Sequence, residues 1–239
     1  MEKKKNDFIA QGSILAVASI LVRVMGMIYR IPMTAIIGDK GNGFYSYAYS
    51  VYTILLLLSS YSLPLAVSKM VSAKAQLGQW RNVKRVFICA IAFAIGIGTT
   101  FGLIVLIGAQ FFTRVFFHSE LAAIALRFMA PTILIMALLG VFRGFFQGLQ
   151  NTLPTAVSQI VEGLINAIMS VVFAYFLFDF GHGMDAASGT TDLGYAWGAA
   201  GGAIGTGAGA LAGLIFCFIL FVAYRKILAV NISRDKTGT

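Results

Sequence analysis

Charge is what this sequence has least of. Only 11% of its 239 residues are Asp, Glu, Lys or Arg, against about 25% in a soluble globular domain. So few charges cannot clothe a water-facing surface, which excludes a soluble domain of this size. Cysteine is scarcer still: Cys89 and Cys217 fall in separate apolar stretches with no CxxC spacing. A disulfide framework is thereby excluded, no His/Cys cluster is present to hold a metal, and both thiols read as free core cysteines. The two histidines, His118 and His182, fall in polar connections with no nucleophile grouped around them. Covalent catalysis has no residue set to work with, so the chain is not expected to be an enzyme, and no cofactor is expected.

Apolar residues fill the space that charge leaves. They make up 59% of the chain, and the mean hydropathy is +0.85. A helix needs about 20 mostly apolar residues to cross the hydrocarbon core. Six such blocks follow one another, at about 10–37, 43–71, 86–113, 121–146, 154–178 and 195–224. The expected fold is an all-α integral membrane protein, a single six-helix lobe over 1–239. "GDKGNG" is expected to form a tight polar turn between the first two spans, and Pro64 falls near the end of the second. The opening "MEKKK" with "AVA" at 16–18 loosely imitates a secretory signal, but the apolar run continues far past that point and reads as a span.

The basic residues follow the membrane. The net charge of +9 could suggest nucleic acid, yet no soluble basic patch with interleaved aromatics exists to bind it. With the N-terminus inside, the inner ends collect Lys3, Lys4, Lys5, Lys69, Lys74, Arg81, Lys84, Arg85, Arg143, Arg225, Lys226, Arg234 and Lys236. The outer connections hold only Lys40 and Arg114, together with Asp39, Glu120, Asp179, Asp185 and Asp192. That asymmetry predicts that both termini face the cytoplasm.

Two further patterns stand out. In the last span Gly201, Gly205, Gly209 and Gly213 recur every four residues, a spacing that lets helix backbones approach closely; it suits either a fixed packing seam or a sliding surface. Gly96, Gly98 and Gly102 in the third span read the same way. The second pattern is charge at membrane depth: Arg23, Arg30, Arg127 and Glu162. A charged side chain at the bilayer centre costs about 2.5–3.5 kcal/mol on insertion scales, so each needs a reason.

Arg23 and Arg30, seven residues apart, lie about 20° apart around a helix and about 10 Å apart along it, on one face with Ser19 and Thr34 near by. Three readings of Arg23 are open: lining a water-filled cationic cavity, pairing with Glu162, or snorkelling. Arg127, just before Pro131, either snorkels outward or faces the interior. Glu162, with Asn166 one turn on, either balances an arginine or couples transport to a cation. An interior with more positive than negative charge favours an anion, and the guanidinium fork suits phosphate.

Three stretches carry a family resemblance: "RVMGMIYRIP", "GNGFYSYAYSVYTILLLLSSYSLPLAVSKMVS" and "GVFRGFFQGLQNTLPTAVSQIVE". They resemble the polysaccharide-biosynthesis branch of the multidrug, oligosaccharidyl-lipid and polysaccharide exporter superfamily, which includes the stage V sporulation protein B type and is related to the lipid II flippases. The resemblance implies a multi-pass transporter of the bacterial cytoplasmic membrane that moves a lipid-linked, diphosphate-bearing saccharide by alternating access. It implies that Arg23 and Arg30 take the place of two cavity arginines on the first helix. Arg23, Arg30 and Arg127 are then expected to contact the diphosphate, and Glu162 and Asn166 to couple the cycle or balance charge. Arg143, Gln147 and Pro154, around the turn after the fourth span, are expected to gate or pack.

Members of the family resemble pairs of six-helix lobes, so besides the saccharide and membrane lipid the implied partner is a second lobe, as further sequence or as a second copy. Two alternatives stand beside this reading. One is a drug/cation antiporter of the same superfamily with Glu162 as its coupling carboxylate; the other is a non-transporting membrane assembly subunit docked through the glycine-rich span.

Overall fold

Helix is the only regular structure that satisfies its own backbone hydrogen bonds in hydrocarbon without a closed barrel, and the described residues contain helices and no strands. The structure, a computed structural model, describes residues 2–235, with side chains from residue 12 onward except at 188. Lys3, Lys4, Lys5 and Lys236, used above to orient the chain, lie outside the described side chains. The elements are α1 (Glu2–Ser60), α2 (Leu63–Gln76), α3 (Trp80–Phe117), α4 (Ala122–Gly148), α5 (Leu153–Ser188) and α6 (Leu193–Ser233).

The α1 helix is not one rod. Gly38 has φ 61° and ψ −178°, a conformation open in practice only to glycine. Met33 and Tyr45, which a straight helix would hold about 18 Å apart, both lie against Gly202 of α6. The chain therefore doubles back at Gly38 into two antiparallel arms. The expected polar turn over "GDKGNG" is thus narrower than the sequence suggests: the break is confined to Gly38, and 39–43 are helical. Lys40 pins this end to α6 through an ion pair with Asp192 at 3.0 Å.

The second block also departs from expectation, because it is broken at Tyr61 and Ser62 before α2 begins. Pro64 is the cause: it lacks an N–H, and its ring collides with the carbonyl four residues earlier. Five stretches among the described residues are long and apolar enough to cross a membrane, the first being the whole of Gly12–Gln76. The helices α3 and α6, of 38 and 41 residues, far exceed the ~20 that span the hydrocarbon core. His182 accordingly lies within α5 rather than in a connection.

Helix α4 runs through the middle of the bundle, with Leu126, Met129, Ile133, Leu139 and Phe145 fully buried. On one side its Gly144 and Gly148 admit α2, where added methyl groups would strike Pro64, Val67 and Val71. Large apolar side chains cover the outside instead, among them Ile31, Leu65 and Ile107 at 73%, 68% and 80% exposure. Such a surface is an aggregation hazard in water and the expected one in lipid. Of the two thiols, Cys217 is a core residue as expected, whereas Cys89 is exposed on the α3 surface.

Candidate functional site

The glycine series of α6 sets the geometry of the site. A methyl group on Gly201 would meet the backbone of Phe173 and Ala174, and one on Gly205 the backbone of Ser170. At Gly209 it would lie 2.6 Å from the Glu162 carbonyl and 2.7 Å from Asn166 Cβ. The every-fourth-residue spacing is therefore a close-packed seam with α5, and it holds Glu162 and Asn166 in fixed register with Thr206. In α3, Gly98 and Gly102 likewise receive α4 at Leu134 and Ala130, while Gly96 faces open space.

Beside this seam lies a cavity of about 600 Å³, walled by both arms of α1, by α5 and α6, and by Met136 of α4. Arg23 and Arg30 line it from the first arm, Glu162 and Asn166 from α5, and Thr206 from α6. Of the stripe seen in the sequence, Arg23 and Arg30 stand on the cavity wall, whereas Ser19 and Thr34 are not among its lining residues. Among the described residues neither Arg23 nor Arg30 has an ion-pair partner.

Glu162 is balanced, but by a residue assigned above to gating or packing. Arg143 donates from its terminal nitrogen to Glu162 Oε2 at 2.7 Å and from Nε to Ser158 Oγ at 2.9 Å. Ser158 is fully buried and in turn donates to the Thr155 carbonyl. Pro154 opens α5, and Gln147 reaches Thr155 Oγ1 at 3.4 Å. The turn motif thus braces the junction of α4 and α5, and Leu56 and Met136 separate the main cavity from a smaller one of about 260 Å³ at that junction.

Arg127 stands apart. It is exposed on α4 and is not among the residues that line the cavity. The expectation that it contacts a ligand beside Arg23 finds no geometric counterpart. The snorkelling reading agrees with its position near the start of α4.

The facing wall of the cavity is aromatic. Tyr45, Tyr49, Tyr52, Thr53 and Leu56 present one face of the second arm. Tyr45 is buried, and its hydroxyl lies 3.2 Å from Thr206 Oγ1, which donates onward to the Gly202 carbonyl. Tyr49 is stacked on Tyr45 at 5.8 Å between centroids and leans on Tyr52 at the same distance. With two buried rings packed against it, the 39%-exposed Tyr49 lines the cavity on the arm opposite the two arginines. The spacing 45, 49, 52, 56 is a helical face readable in the sequence, though it does not by itself mark a cavity wall.

Paired arginines, hydroxyls and a row of tyrosines lining one cavity inside a lipid-facing bundle define a polytopic membrane protein with a polar, cationic chamber among its helices. The chain belongs to the polysaccharide biosynthesis protein family, whose model it matches over residues 8–236. It is 26% identical over 228 residues to stage V sporulation protein B of Bacillus subtilis (strain 168), covering 95% of this chain and 41% of that one. To the lipid II flippase MurJ of the same organism it is 27% identical over 163 residues, 65% of this chain and 30% of that one. An uncharacterized membrane protein, YabM, also from that organism, is 27% identical over 174 residues, with 72% of this chain and 32% of the other covered. The chain therefore spans well under half the length of these relatives. No solved structure gives a significant match.

Proposed function

We propose that this chain forms one lobe of a flippase that moves a lipid-linked, diphosphate-bearing saccharide across the bacterial cytoplasmic membrane. The observation that carries the reading is the pair Arg23 and Arg30, two guanidiniums on a cavity wall that have no carboxylate partner among the described residues. Each offers a planar fork of donors to phosphate oxygens. Tyr49 offers a face on which a sugar ring can lie, and Thr206, Thr53 and Asn166 offer polar groups for its hydroxyls. One relative is named for flipping lipid II, which is the same chemical class.

In this reading the two arms of α1 are separate crossings, the chain crosses six times, and both termini are cytoplasmic. A second lobe, from further sequence or a second copy, closes the cavity on its open side. Glu162 and Asn166 support the diphosphate site, and the Arg143–Gln147–Pro154 corner holds α4 against α5 as the lobes rock.

The test is binding of a polyprenyl diphosphate, with the uncharged polyprenol of the same length as comparator, to the chain in nanodiscs. Strong preference for the diphosphate is expected, reduced about tenfold or more by Arg23→Gln and by Arg30→Gln, as loss of a charged hydrogen bond implies. Equal binding of the two lipids, or indifference to both substitutions, would overturn the reading.

A further inference from the structure

A second cleft, remote from the chamber, lies on the outside of the bundle between the start of α3 and the end of α6. The two helices are tied at two points there. Phe87 stacks on Phe221 with centroids 4.6 Å apart, and the Arg81 backbone N–H donates to Asp235 Oδ2 at 2.9 Å. Between these ties lies a cleft of about 420 Å³, lined by Lys84, Phe87 and Ile88 of α3 and by Phe221, Arg225, Leu228, Ala229 and Ile232 of α6.

Its charge pattern is unusual for a groove with an apolar floor. Lys84 precedes Phe87 by one turn of α3, and Arg225 follows Phe221 by one turn of α6. The helices run in opposite directions, so both cations lie on the same side of the stacked rings and face one cleft. Among the described residues no carboxylate lines it, Asp235 standing at its end on the Arg81 N–H, and neither cation has an ion-pair partner. Two like charges beside a low-dielectric floor repel one another, and an anion between them removes that cost. Arg81, Arg85, Lys226 and Arg234 add positive charge at the same end of the bundle.

From this juxtaposition we infer that the α3–α6 cleft is a binding site for an anionic phospholipid. The phosphate lies between Lys84 and Arg225, and an acyl chain lies along Ile88, Phe221 and Ala229. A zwitterionic lipid fits the floor equally well but brings a cation of its own, so the site selects by headgroup charge. The site is independent of the chamber, and occupancy would splint two long helices where their mutual packing is sparse.

The inference can be tested on the complete chain, delipidated in detergent, by native mass spectrometry and thermal melting. Phosphatidylglycerol, phosphatidylethanolamine and inorganic phosphate would be added separately. Phosphatidylglycerol should be retained and raise the Tm, phosphatidylethanolamine should do so much less, and inorganic phosphate not at all. The double variant Lys84→Gln/Arg225→Gln should retain phosphatidylglycerol about thirtyfold more weakly, the equivalent of about 1 kcal/mol for each charge. Ala229→Trp keeps both charges but fills the cleft, and should abolish retention as well. Arg23→Gln should leave retention unchanged. Equal retention of the two lipids, retention by both cleft variants at the wild-type level, or an equal shift with inorganic phosphate would overturn the inference.

Discussion

Replacing Arg143 by methionine should damage both stability and ligand binding without touching any residue of the cavity wall that is expected to meet the ligand. Arg143 is 11% exposed and Glu162 25% exposed, with 2.7 Å between them. Removing one partner of a buried pair costs about 3–5 kcal/mol, chiefly because the other charge is left stranded. Glu162 keeps a face toward the cavity, so solvent relieves part of that, and about 2–3 kcal/mol is expected. A chain of this size should then lose about 5–10 °C in Tm. Glu162→Gln strands the guanidinium in turn, but an amide oxygen still accepts from it, and a loss of about 1–2 kcal/mol is expected. The double variant Arg143→Met/Glu162→Gln strands neither charge and should recover to within about 1 kcal/mol of the parent. In binding, Arg143→Met uncovers a negative charge in a chamber held at two uncompensated positives. Diphosphate affinity should fall about tenfold and return in the double variant. Melting curves and binding isotherms on the four proteins provide a complete cycle. Effects that add within about 0.5 kcal/mol, or a double variant worse than Arg143→Met, would refute the coupling.

Other substitutions test separate parts of the structure. Gly205→Val drives a side chain into the Ser170 backbone and should cost about 1–3 kcal/mol or more. Gly96→Val, which meets nothing within 4 Å, should leave the Tm unchanged; equal melting of the two variants would refute the seam. Tyr49→Leu should weaken a saccharide-bearing prenyl diphosphate about five- to tenfold while sparing the sugar-free diphosphate, and Tyr49→Phe should behave as wild type. Equal losses for both ligands would remove the stacking role. Asp185→Ala removes the acceptor for the Leu193 and Gly194 N–H groups at the start of α6, and a loss of about 1–2 kcal/mol is expected in the same melting assay.

Much of this was legible in the sequence because membranes impose simple rules. Apolar blocks of spanning length, an i, i+7 arginine stripe and glycines every fourth residue each have a single geometric meaning on a helix. The departures arise where tertiary contacts outvote local signals. "DKGNG" is rich in poor helix formers, yet it is helical immediately after the bend at Gly38, where Gly41 packs against Ile37 and the Tyr195 carbonyl. The sequence places Arg127 at membrane depth and Arg143 near the inner end of the same span, without saying where either side chain goes. Only the packing shows that one is exposed and the other is aimed at Glu162, 19 residues on, across the Leu149–Thr152 turn. The tyrosine wall had a readable spacing, but tyrosines in an apolar span also suit the membrane interface, and nothing local separates the two uses.

The same charge pairing bears on which ligand the chamber favours. Counted naively, Arg23, Arg30 and Glu162 leave one net positive charge on the wall, and Glu162 could be read as a cation site with the tyrosines as an aromatic cage. Arg143 cancels that carboxylate at 2.7 Å, so the uncompensated charge is two. A unit charge about 6 Å from each guanidinium interacts by roughly 3 kcal/mol with either one at an effective dielectric of 20. For a monocation both terms are repulsive, and a cation–π contact of about 0.5–2 kcal/mol does not offset them. For a diphosphate both terms are attractive and scale with its charge. A cationic substrate would therefore require the Arg143–Glu162 pair to open first, releasing the carboxylate to the chamber. An organic cation that binds Arg143→Met more tightly than the parent, while a diphosphate binds it more weakly, is the inversion this arithmetic demands.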